Sequence, residues 1–107
     1  MAAIVVIGEI LVEIMATEVG QTFTARGLFA GPYPSGAPAI FADQAARMGA
    51  STAMIGCVGP VDFGTLNIER LRASGVDTAG ITRAPGTTTG IAFVTYRADG
   101  GRDFLYT

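Results

Sequence analysis

The sequence predicts an α/β layer with a separate β appendage, and three observations carry that prediction. Up to Gly75, short apolar runs ended by glycine alternate with segments of helical character. Strand, helix, strand, helix at this spacing suits a parallel layer joined by right-handed crossovers. After Gly75 the chain turns to alternating, aromatic-rich segments around a glycine turn, the mark of a β-hairpin.

Ala3 to Ile7 is β-branched, apolar and closed by Gly8, as a strand buried on both faces would be. Ile10 to Met15 reads as a second strand, its apolar run broken by Glu13. Residues 16–35, rich in Gly, Thr and Pro, read as loop around a weak strand near Leu28 to Ala30. Pro38 to Met48 is predicted helical, with proline in the first turn and Gly49 as terminator. Its inward stripe is expected at Phe41, Ala45 and Met48. Ser51 to Val58 is a further strand, expected to be buried on both faces like the first. Asp62 is placed to cap a second helix that points Phe63, Leu66 and Leu71 inward and ends at Gly75. Ile91 to Arg97 and Arg102 to Tyr106 flank the turn Ala98-Asp99-Gly100-Gly101 as an antiparallel pair.

Composition removes whole classes of function. With 107 residues the chain is one domain or a piece of one. Half is hydrophobic and 15% charged, against a norm of roughly 25% charged, and mean hydropathy is +0.45. That is not a disordered composition. Seven scattered arginines, no lysine and a net charge of −2 give no basic patch, so no nucleic-acid partner is expected. No apolar run approaches the roughly 18 residues of a membrane span, and no membrane partner is expected. The absence of histidine excludes Ser–His–Asp and Cys–His systems and His-containing metal sites within the chain. Cys57 has no partner for an internal disulfide, and its apolar neighbours predict a buried, inert thiol. A lone cysteine and the lack of a signal peptide fit a cytoplasmic protein. Such low charge on a small domain reads either as a well-filled core or as an apolar face that another segment or partner covers.

Pro34-Ser35-Gly36-Ala37-Pro38 places a small-residue turn at a helix start, where free N–H groups favour an anion or a polar ligand oxygen. Helices also begin this way for purely structural reasons. No Gly-Lys-Ser/Thr follows, so the turn is not a P-loop, and Gly8 alone is no dinucleotide fingerprint.

The wider constellation is more specific. Gly8-Glu9 is followed by Ser35-Gly36-Ala37-Pro38-Ala39 and Ala45-Ala46-Arg47-Met48-Gly49. Then come Ile55-Gly56-Cys57-Val58-Gly59, Asp62-Phe63-Gly64, and Leu71-Arg72-Ala73-Ser74-Gly75-Val76-Asp77. Arg83-Ala84-Pro85-Gly86 with Thr89-Gly90 completes the set. Over nearly its whole length the chain resembles the N-terminal third of PfkB-type (ribokinase-like) carbohydrate kinases. It is nearest in style to the fructokinase, tagatose kinase and 2-keto-3-deoxygluconate kinase branches.

The resemblance implies a ribokinase-like fold, a parallel sheet flanked by helices with a small β-sheet lid. It implies ATP- and Mg²⁺-dependent phosphorylation of a sugar hydroxyl by the complete enzyme, on a ketohexose or keto-sugar acid. The body would span about 1–9 and 36–78, and the lid about 10–35 and 79–107. Lid strands are expected near 10–15, 28–33, 81–84, 90–97 and 102–107. Carried over residue by residue, Glu13 would bond sugar hydroxyls, and the backbone of Gly36 and Ala37 would approach the sugar. Phe93, Tyr96, Arg97, Phe104 and Tyr106 would pack over the ring. The chemistry is apt, since a carboxylate accepts several hydroxyl bonds and aromatic rings cover apolar sugar faces. Glu13 also suits a solvated edge, and the aromatics also suit ordinary hairpin packing.

The chain departs from the family at Ile40, where asparagine is usual, and at Pro60 and Val61, where acidic residues are usual. It contains no Gly-Ala-Gly-Asp, no lysine and no P-loop, so no catalytic residue is expected within it. The chain therefore reads as part of a truncated kinase, inactive alone and binding neither ATP nor Mg²⁺ by itself. Self-association through the lid or exposed strands is expected. Two other readings stand beside this one: a β-mediated oligomerisation module without catalysis, and a kinase of nucleosides or vitamin precursors with the same fold.

Overall fold

A computed structural model describes residues 2–107. The elements are β1 (Ile4–Ile7), β2 (Leu11–Ala16), β3 (Phe29–Ser35), α1 (Ala37–Arg47), β4 (Thr52–Val58), α2 (Phe63–Ala73), β5 (Asp77–Arg83), β6 (Gly90–Tyr96) and β7 (Arg102–Tyr106). They form two sheets, a three-stranded one ordered β1-β4-β5 and a four-stranded one ordered β3-β2-β6-β7. The first is wholly parallel. The second is mixed, with β2 and β6 parallel and the outer pairs antiparallel. The predicted hairpin is present, with Ala92 opposite Tyr106 and Tyr96 opposite Arg102.

Strand order decides where the core sits. Because β1, β4 and β5 follow one another across the sheet, two right-handed crossovers lay α1 and α2 on the same face. The core forms there, from Ala39 and Ala42 of α1, Met54 and Val58 of β4, and Ile68 and Leu71 of α2, with Ile10 and Val76 closing the ends. The other face carries no helix. Val5, Ile7 and Ile55 are 55%, 73% and 42% exposed on it.

That one-sidedness corrects two expectations, and the strand pairing corrects a third. Strands β1 and β4 are not buried on both faces, since alternate residues of each point away from the helices. Cys57 is exposed rather than buried, because it shares the open face with Ile55. The segment near 81–84, expected in the small sheet, belongs to β5 and pairs in parallel with β4, Gly56 facing Ile81 and Cys57 facing Thr82.

The helices keep their predicted limits but not all their predicted faces. Helix α1 turns Ala39 and Ala42 inward with Ala46 beside them, while Phe41 and Met48 are 56% and 80% exposed. Small side chains let the helix lie close to the sheet. The Cβ that Gly8 lacks would strike the Pro38 ring, so β1 and the start of α1 are in direct contact. In α2, Leu71 is buried as expected, but Gly64, Asn67 and Ile68 complete the inner face in place of Phe63 and Leu66. Asp62 stands at the N-cap yet makes no capping hydrogen bond; its φ of 37° turns it out of capping geometry. Among the described residues no helix is long and apolar enough to cross a membrane.

Candidate functional site

The chemistry-bearing residues gather on one face of the four-stranded sheet. Cross-strand partners share a face. The register aligns Tyr33 with Glu13, Glu13 with Ala92, and Ala92 with Tyr106, one row across all four strands. The next row aligns Ala30, Met15, Val94 and Phe104. A carboxylate and three aromatic rings therefore project from the same side, with Glu13 and Tyr106 two strand spacings, about 10 Å, apart. Tyr33, Phe104 and Tyr106 are 47%, 41% and 63% exposed there. Phe104 and Tyr106 stack at 5.7 Å between centroids and 10° between planes, and the Arg102 guanidinium lies over Phe104 at 5.5 Å. Tyr96 belongs to this face and donates its hydroxyl hydrogen to the Met15 sulfur at 3.3 Å.

Glu13 is fixed at this position by its neighbours. The buried Ser35 hydroxyl donates to its Oε2 at 2.7 Å. Strand β3 bulges opposite Glu13 and Met15, and a Cβ at Gly31 would stand 2.6 Å from the Glu13 carbonyl oxygen. Gly36 follows Ser35 directly, with a φ of 99° that L side chains avoid, and opens α1 without a capping side chain. The strand bearing the carboxylate's partner thus runs straight into the helix start at Gly36 and Ala37.

Phe93 and Arg97 lie apart from that group. Phe93 is the cross-strand partner of Ile14 and Leu105, on the opposite face from Glu13. Arg97 is held in the hairpin turn by Asp103 at 2.6 Å and Asp99 at 3.3 Å. Conversely, Tyr33, Ser35 and Arg102 join the site although the sequence reading gave them no role. Alternation would have found Tyr33 and Arg102 once the register was known. Nothing local to Ser35 distinguishes it from any other serine in a turn.

Beside Ser35 a cleft of about 170 Å³ opens between α1 and α2, walled by Pro34, Ser35, Ile40, Asp43, Asn67 and Arg70. Ile40, 54% exposed, presents a hydrocarbon to it. Burial alone would raise the Asp43 pKa, but the Ser74 hydroxyl and the Arg70 and Arg47 guanidinium groups outweigh it and hold the carboxyl below its ordinary range. Among the described residues no group of three or more Cys, Asp or Glu could hold a metal ion.

Fold and site together define a class: an α/β layer bearing a small four-stranded sheet, with a carboxylate and exposed aromatic rings on one face of that sheet. The chain belongs to the pfkB family of carbohydrate kinases, whose family pattern matches residues 1–107. It is 38% identical over 103 residues to fructokinase-1 of Oryza sativa subsp. japonica, covering 96% of this chain and 32% of that one. The crystal structure of a candidate ribokinase II from E. coli, in its apo form, shares 53% identity and a TM-score of 0.97 over 100% of this chain and 34% of its own. The same E. coli protein has been seen with ATP and Mg²⁺. Fructokinase from Xylella fastidiosa shares 31% identity and a TM-score of 0.82 over 96% of this chain and 32% of its own. The chain thus spans about a third of the length of the relatives it matches.

Proposed function

We propose that residues 1–107 are the sugar-binding and lid portion of an ATP-dependent carbohydrate kinase that phosphorylates a sugar hydroxyl. The substrate class is a ketohexose or a keto-sugar acid, in keeping with relatives named fructokinases. The observation that carries the reading is Glu13, braced by Ser35 and sharing its sheet face with Tyr33, Phe104 and Tyr106. On this reading the body comprises about 1–9 and 36–83, and the lid about 10–35 and 90–107.

The residues of the chain divide the work simply. The Glu13 carboxylate accepts hydrogen bonds from sugar hydroxyls and fixes the ring's orientation. Phe104 and Tyr106 lie against its apolar face and keep water from the hydroxyl that reacts. The backbone at Gly36 and Ala37 comes close because no side chain intervenes at Gly36. In the complete enzyme ATP and Mg²⁺ supply the phosphoryl group and its charge neutralisation. The groups that hold them belong to the part of the kinase beyond this chain. A cytoplasmic setting and pairing of copies are part of the same proposal.

A chimera tests it. These 107 residues replace the corresponding third of the 53%-identical E. coli relative, and ADP release is followed with a panel of ketoses and keto-sugar acids. Sugar-dependent ADP release from the chimera is expected. Losing a hydrogen-bonding charge costs about 1.5–3 kcal/mol, so Glu13→Ala should raise KM roughly 10- to 150-fold. A folded chimera whose KM ignores Glu13→Ala would overturn the reading.

A further inference from the structure

We infer that Ser35 is a positioning residue: its buried hydroxyl holds the Glu13 carboxylate in one orientation, committing Oε2 to the protein and leaving Oε1 to accept a ligand hydroxyl. The inference rests on the sugar-site reading of Glu13 given above. Ser35 is 5% exposed and donates to Glu13 Oε2 at 2.7 Å. That is the only hydrogen bond or ion pair the Glu13 side chain makes among the described residues. Ser35 sits opposite Leu11, two residues before Glu13, so the hydroxyl reaches diagonally along the same sheet face.

The backbone at both ends of this contact is close-packed. A Cβ at Gly31 would stand 2.6 Å from the Glu13 carbonyl, and one at Gly36 would stand 2.8 Å from the Glu9 carbonyl. Glycine at both positions thus lets β3 and the start of α1 lie close against the backbone on either side of this contact. A glutamate side chain otherwise loses much rotamer freedom when a ligand orders it. Ser35 imposes that order beforehand, so the carboxylate meets a ligand already aligned, which favours binding.

The test uses the chimera described above, with Glu13 selectively labelled and fructose as the probe. NMR three-bond couplings report the Glu13 rotamer, and amide shifts report fructose affinity. The wild type should show one Glu13 rotamer, and Ser35→Ala should show averaging with fructose binding about tenfold weaker. Ser35→Thr, which keeps the hydroxyl, should restore both. Should Ser35→Ala fail to fold, Ser35→Cys keeps the volume with a much weaker donor and replaces it. A single Glu13 rotamer in Ser35→Ala overturns the inference and leaves the site reading standing. So does averaging with unchanged affinity, provided Glu13→Ala still weakens binding. If the wild type binds no fructose, or Glu13→Ala binds it equally well, the site reading fails and this inference falls with it.

Discussion

Asp43 shows how a single side chain can join two helices. Its carboxylate, on α1, meets Arg47 one turn further along at 2.9 Å and Arg70 of α2 at 3.3 Å, and accepts the Ser74 hydroxyl. Those partners hold its pKa below the ordinary value against the opposing effect of burial. The sign of the pH dependence follows. A depressed folded pKa contributes stability that is present above the unfolded value of about 3.9 and is lost as pH falls through the folded one. Asp43→Asn should therefore unfold at lower urea than the wild type at pH 7. The gap should narrow as pH falls below the unfolded value of about 3.9 and close once pH has passed through the lowered folded value. Equal urea midpoints at pH 7 would show that the cluster contributes nothing. Because both arginines are about half exposed, added salt should narrow the gap at pH 7 as well.

At the scale of elements, the passage between the two sheets depends on the end of β4. The Gly59 N–H donates to the Thr89 hydroxyl at 2.9 Å, and the Val58 carbonyl accepts from the Ala84 N–H at 2.9 Å. Both bonds tie the segment linking β5 to β6 to the end of β4. A Cβ at Gly59 would lie 2.8 Å from the Thr89 backbone nitrogen, a contact that backbone cannot relieve. Gly59→Ala should cost about 1–3 kcal/mol by overpacking. Thr89→Val, which keeps the shape but strands the Gly59 N–H in a buried place, should cost about 1–3 kcal/mol. Urea midpoints of the two variants check both, and a Thr89→Val variant as stable as the wild type would remove the junction from the account.

The whole molecule is thin, 47 × 33 × 18 Å, because helices cover one face of the three-stranded sheet only. The open face offers Val5, Ile7, Ile55 and Cys57 to solvent. Apolar area of that kind drives association. The isolated chain should self-associate at high micromolar concentration, and Cys57 provides its own reporter. Its thiol should react quickly with a disulfide reagent in dilute solution and more slowly as copies cover the face. A monomer by light scattering, with a thiol rate independent of concentration, would count decisively against this. The same 107 residues, incubated with ATP, Mg²⁺ and a panel of ketoses, should release ADP only at background. Sugar-dependent release that survives controls for host kinases would refute the view that phosphoryl transfer needs the rest of the enzyme.

Local sequence determined both helices and the hairpin turn, and it did so where one residue's conformational preference decides. Gly49 and Gly75 stop helices with positive φ, Pro38 starts one, and Gly100 turns the hairpin. The motif run from Gly8 to Gly90 likewise carried the family, and Glu13 stood out because a charge interrupted an apolar strand. What the sequence left open were the faces. Whether Phe41 and Met48 or the alanines of α1 point inward depends on how near the sheet the helix lies. Whether Cys57 is buried depends on which side of the sheet both crossovers take. Ser35, Tyr33 and Arg102 became neighbours of the Glu13 row only through the register of four strands that are far apart in the chain. Torsional preferences act within a few residues and can be read along the sequence. Burial and site assembly are decided by pairings across tens of residues, and these exist only once the chain has folded.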